Sequence, residues 1–138
     1  MARRPTLSLP KLLAAAGLAA LIATSVNLTL FAIGRATGAI STTVEVMPGM
    51  GPLEWLSVAL LSLVPPFVAA LVLFALARVL ARPLPAFYAV SAVVFVLFAF
   101  GPLNMEGASA AQVWAMQFMH VVVAAPVLWA LTRAARPA

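Results

Sequence analysis

Four long apolar stretches, separated by polar or proline-containing segments, dominate the pattern of the chain. They run from about Leu12 to Gly34, Trp55 to Ala77, Ala86 to Leu103 and Ala111 to Leu131. Within each stretch apolar residues follow one another without the alternation of a barrel strand, so the pattern predicts helices. Bilayer hydrocarbon is about 30 Å thick and a helix rises about 1.5 Å per residue, so runs of about 18 residues or more can cross it. Helices also leave no backbone group unpaired in lipid. The expected fold is therefore all-α, a polytopic membrane four-helix bundle in which residues 1–138 form one domain.

The links set the order of packing. The segment "ARVLARPLPA" is short, and Pro83 and Pro85 read as punctuation of a tight turn, which makes the second and third helices antiparallel neighbours. The link "GPLNMEGAS" between the third and fourth helices is also short, so helix three should pack between or beside two and four. The outer connection, residues 35–54, is "RATGAISTTVEVMPGMGPLE", long for a helix–helix link. Two readings stand for it: a partly ordered flap over the outer mouth of the bundle, or a surface loop.

Composition agrees with the pattern. Of 138 residues 65% are hydrophobic and 8% charged, with a mean hydropathy of +1.15, far from the roughly one-quarter charged of a soluble domain. The net charge of +5 is compatible with nucleic acid, but the basic residues form no soluble patch interleaved with aromatics, so no nucleic-acid partner is expected. They mark topology instead. Arg3, Arg4 and Lys11 precede the first span, Arg78 and Arg82 separate the second from the third, and Arg133 and Arg136 follow the fourth. The three acids, Glu45, Glu54 and Glu106, fall on the opposite side, and Arg35 alone among the basic residues joins them. The positive-inside rule then puts both termini in the cytoplasm. Trp55 and Trp114 fall at outer helix ends, with Trp129, Phe87 and Tyr88 at inner ones, as expected of aromatic rings in the headgroup zone. The N-terminal run is longer than a signal-peptide core and is read as a retained helix. The chain has no cysteine, which excludes disulfides and thiolate metal sites. Arginine outnumbers lysine and alanine is abundant, as in GC-rich bacterial genomes, so the expected location is a bacterial cytoplasmic (inner) membrane.

Polar residues inside the spans carry the candidate chemistry, because they are costly in hydrocarbon and turn to the bundle interior. Asn27, Ser62 and Gln117 each lie about four residues, roughly 6 Å, to the outer side of the middle of their helix. His120, the single histidine, lies one turn deeper than Gln117. Pro65 and Pro66 should kink the second helix and free the carbonyls of Leu61 and Ser62, while Pro102 frees that of Phe98 and Pro126 that of Val122. Ala16, Ala20, Thr24 and Asn27 give the first helix a face of small residues. On the fourth helix the stripe Val113, Gln117, His120 and Ala124 is expected to face the interior, with Trp114, Phe118 and Leu128 turned elsewhere. His120 would pair there with Asn27, Gln117 or a proline-freed carbonyl.

Such a layer can serve two ends. It can fix helix register, each bond contributing about 0.6 to 2 kcal/mol, or it can bind a small ligand through Asn27, Ser62, Gln117 and His120. A small-solute transporter using the same residues is the rival. Five methionines, Met47, Met50, Met105, Met116 and Met119, fall in the outer half or the outer loops. Met116 and Met119 with His120 could supply thioether and imidazole donors to Cu(I). Haem could take His120 as one axial ligand, the second coming from another subunit. No nucleophile, base and acid occur together, so the expected protein is not an enzyme and needs no cofactor. Its expected partners are membrane lipid, the unidentified ligand and, through small-residue faces, further copies of itself.

Three stretches, "ATSVNLTLFAIGRATG", "LFAFGPLN" and "QFMHVVVAAPVL", together resemble an uncharacterised group of short bacterial four-span membrane proteins, a domain of unknown function. The matching positions are Asn27, Gly101, Pro102 and His120, and the resemblance covers most of the chain. It implies a four-helix bundle in a bacterial membrane and no particular activity.

Overall fold

The computed structural model describes residues 7–136; Arg3 and Arg4 of the charge pattern lie outside them. The described chain is α1 (Leu9–Ala36), α2 (Trp55–Val79), α3 (Pro83–Leu103) and α4 (Ala110–Ala135). Its one departure from helix and loop is an isolated bridge between Glu45 and Pro52. All four helices are long and apolar enough to cross a membrane. The chain is a multi-pass, helical membrane bundle.

Helix ends follow local chemistry. Pro83 does not punctuate the turn before α3, as its place in the link suggested, but opens the helix, where a missing N–H costs nothing. The connection from α2 to α3 is thereby only residues 80–82. Ser109 caps α4, its hydroxyl accepting from the Gln112 backbone N–H at 3.1 Å. Pro65 and Pro66 sit inside α2, which runs unbroken around them.

The helices are not equivalent partners. α1 packs along both α2 and α4, whereas α3 lies against α2 and α4 and does not reach α1. The cause is side-chain size. Ala16, Ala19, Ala20 and Ala23 are almost wholly buried, so the backbone of α1 can approach its neighbours closely. α3 instead presents Val93, Val96, Leu97, Phe98 and Phe100 outward and buries only Pro83, Phe87 and Pro102. Phe87 differs from its expected place among the interfacial aromatics. It is 1% exposed and packs with Leu12, Leu73 and Leu131 in the core at the terminal end of the bundle. Tyr88 and Trp129 do lie exposed at that end, as Trp55 and Trp114 do at the other.

The long loop is a packed cap. Ile40 and Leu53 are buried and join Val58, Met116 and Met119 in an apolar cluster at the loop end of α1, α2 and α4. Ile40 donates its N–H to the Gly34 carbonyl, 2.9 Å, and lies so close that a Cβ on Gly34 would come within 2.6 Å of its side chain. "MPGM" supplies a turn: Met50 N–H bonds the Met47 carbonyl at 2.9 Å, with Pro48 and a positive-φ Gly49 between them, the residues a type II turn requires. The Glu45 carboxylate accepts from Gly49 N–H at 2.9 Å and fixes the same turn.

Arg35, the one basic residue that breaks the charge pattern, holds this cap. Its guanidinium donates to the carbonyls of Ser41 (2.8 Å) and Leu53 (2.5 Å), lies 4.0 Å from the Glu54 carboxylate and 5.2 Å from the centre of the Phe31 ring. The other described charges sort by end: Lys11, Arg78, Arg82, Arg133 and Arg136 with the termini, and Glu45, Glu54 and Glu106 with the cap.

Candidate functional site: a lateral cleft beside a closed polar node

The structure divides the expected polar layer in two. Asn27 on α1 and Ser62 on α2 are buried, 3% and 1% exposed, and meet directly. The Asn27 amide donates to the Ser62 hydroxyl at 2.9 Å and to the Met119 carbonyl of α4 at 3.2 Å. One side chain thus ties three helices together at a single depth. It takes the serine hydroxyl, not the carbonyls of Leu61 or Ser62 that the prolines release. The Asn27 carbonyl oxygen and the Thr24 hydroxyl are buried with no partner among the described residues, and their desolvation offsets part of what the two bonds contribute.

Gln117 and His120 do not join that node. The buried stripe of α4 is Gln112, Met116, Met119 and Val127; Val113, Gln117, His120 and Ala124, expected to be interior, are only half-buried and stand to one side of it. The expected stripe was turned away from α1 toward α3. Trp114 and Phe118 are exposed, as expected, and Leu128 is half-buried. Gln117 donates its amide to the Ala99 carbonyl of α3 at 2.7 Å, one residue beyond the carbonyl that Pro102 was expected to offer. His120 pairs with neither Asn27 nor Gln117. Its Nδ1 bonds the Met116 carbonyl one turn back on its own helix at 2.7 Å, so Nδ1 carries the proton. The ring faces Phe98 of α3 with centroids 6.3 Å apart.

Between α3 and α4, at the loop end, lies an open cleft of about 830 Å³. Its walls include Phe95 and Ala99 on α3 and Val113, Gln117 and Val121 on α4. It exists because α3 is seated at its terminal end by Phe87 while its loop half carries large side chains that stay outside the core. Apart from Gln117 the walls are apolar. The Gln117 carbonyl oxygen and the His120 Nε2 make no hydrogen bond to a described residue.

Two functional residues escaped the sequence reading. Gln112, 1% exposed, accepts the Ser41 backbone N–H at 3.1 Å and so pins the cap to α4, leaving its own amide nitrogen buried without a partner. Arg35 was visible as an exception to the charge pattern, but nothing in the pattern said what it held. Met116 and Met119 fill the cap's apolar cluster, the adaptable packing that methionine provides. No group of three or more His, Cys, Asp or Glu that could hold a metal occurs among the described residues.

No curated protein and no solved structure matches the chain. The model of one family matches residues 7–137, nearly the whole length and in keeping with the four-span resemblance, and by that match the chain belongs to DUF6069, a family of unknown function.

Proposed function

We propose that this protein is a non-enzymatic component of a bacterial cytoplasmic membrane, both termini inside, that binds a small amphiphilic ligand in the cleft between α3 and α4. The observation that carries the reading is Gln117. It is the polar side chain in an otherwise apolar, lipid-accessible cleft, and it has hydrogen-bonding capacity left after bonding Ala99. Apolar pockets with a few placed polar groups are the usual form of a ligand site. Asn27 and Ser62 serve a different end, joining α1, α2 and α4. The tight packing of Ala16, Ala19, Ala20 and Ala23 and the cap over the loop end favour this reading over passage of a solute through that interior. The sorting of described charges between the two ends supports the orientation.

Native mass spectrometry of protein extracted from its own membranes tests it. The wild type should retain a non-protein mass, one per chain, and Gln117→Leu should lower the retained fraction at least fivefold. Asn27→Ala should lower thermal stability without changing retention by the folded protein. Equal retention by Gln117→Leu, or none by the wild type, overturns the reading.

A further inference from the structure

We infer that the cleft holds one chain of an amine-headed glycerophospholipid drawn from the leaflet at the loop end, an assignment that rests on the cleft being a ligand site. Depth is the first argument. Trp114, 73% exposed, and Trp129, 53% exposed, lie toward the two ends of α4 and bracket the middle of the span. They are fifteen residues apart, about 22 Å at helical rise, and Val121, the deepest α4 residue of the cleft, is seven residues below Trp114, about 10 Å. The cleft therefore ends near the middle of the bilayer. A partner helix crosses both leaflets and needs a face along the whole span, but toward the terminal end α3 is closed onto the core by Phe87. A single lipid chain, which ends at the midplane, matches the cleft's length.

The polar contacts agree with that occupant. Gln117 is three residues below Trp114, about 4.5 Å, in the upper part of the cleft, where it could meet the ester carbonyls of a glycerophospholipid whose chain fills the cleft. One hydrogen of its amide nitrogen is committed to Ala99, and the second is available to donate to such a carbonyl. At the mouth, Leu103 and Ala108 of the cleft wall are joined by a link that carries exposed Glu106 and no cation. The one described cation at this end, Arg35, is engaged by Ser41, Leu53, Glu54 and Phe31. A headgroup with a terminal ammonium finds a carboxylate there, whereas a net-negative headgroup meets only a like charge.

The test uses the full chain, delipidated in detergent and titrated with palmitoyl-oleoyl phosphatidylethanolamine or the corresponding phosphatidylglycerol, read by native mass spectrometry. The first ethanolamine lipid should bind at a concentration at least fivefold lower than the glycerol lipid. Val113→Trp, which fills the cleft, should remove that first binding step. Val93→Trp, exposed on α3 away from the cleft walls, should leave it intact. Glu106→Gln should bring the two lipids to within twofold of each other. Ethanolamine lipid bound equally by Val113→Trp, or glycerol lipid bound as tightly as ethanolamine lipid, overturns the assignment. If a Gln117-dependent mass is retained from membranes while either of those results is obtained, the lipid assignment falls and the cleft remains a ligand site. If no mass is retained from membranes, the cleft reading fails with it.

Discussion

Two contacts of α4 differ in a way that explains the molecule. Toward α1, α4 meets a face of alanines, and the approach is close enough for Asn27 to reach the Met119 backbone and Ser62 together. Toward α3 it meets phenylalanine and alanine on a helix whose side chains mostly face outward, and its polar and aromatic contacts in the loop half are Gln117 on Ala99 and His120 beside Phe98. Both contacts contain an amide that donates to a carbonyl of another helix. In the first the amide is enclosed and locks a bundle; in the second it sits in an open cleft with capacity to spare. Side-chain size on the facing helix decides which of the two an intramembrane amide becomes.

The comparison can be broken at its strongest point first. Phe87 seats α3, and Phe87→Ala should lower stability by about 3 kcal/mol. It should also raise hydrogen exchange across α3 with little change in α1. Equal loosening of all four helices would mean that α3 is no less integral than the rest.

Asn27→Ala comes next. It removes two buried interhelical bonds, and at about 0.6 to 1.7 kcal/mol each it should cost about 1 to 3 kcal/mol in denaturant titration. A neutral result would show that burying the unpartnered Asn27 oxygen cancels the gain.

Gly34→Ala probes the cap, forcing a methyl group against buried Ile40. A loss of about 1 to 2 kcal/mol is expected, with faster exchange confined to residues 37–53. The smallest effect belongs to Gln117→Leu, below about 1 kcal/mol, because one half-buried bond is exchanged for apolar contact. A larger loss than for Asn27→Ala would invert the comparison.

How much of this was legible in the sequence differs by element. The four spans were readable because hydrophobic runs of that length have few alternatives, and the observed helices extend the expected ones by at most four residues at an end. The shared depth of Asn27 and Ser62 was readable too, since rise along a helix is fixed and the two meet directly, but Gln117, expected at the same level, bonds Ala99 of α3 and stays out of the node. The direction of a side chain around α4 was not. Every face of that helix is largely apolar, so the pattern gives no preferred side, and the interior is held by Gln112, Met116 and Met119 instead of the stripe through Gln117 and His120. The loop was undecidable for a similar reason: its order depends on Ile40 finding Gly34, and on Arg35 and Gln112 finding backbone groups far along the chain.

From the sequence alone come the spans, their lengths, the separation of positive from negative ends and the heights of the polar groups, all properties of one helix measured along its own axis. Only the tertiary structure decided rotation and neighbour: that α1 is enclosed and α3 peripheral, that Asn27 closes a node while Gln117 borders a cleft, and that the connection of residues 37–54 folds into a cap. The physical reason is that hydrocarbon rewards apolar surface on every side of a helix equally, so small residues and a few hydrogen bonds, not hydrophobicity, choose which sides meet.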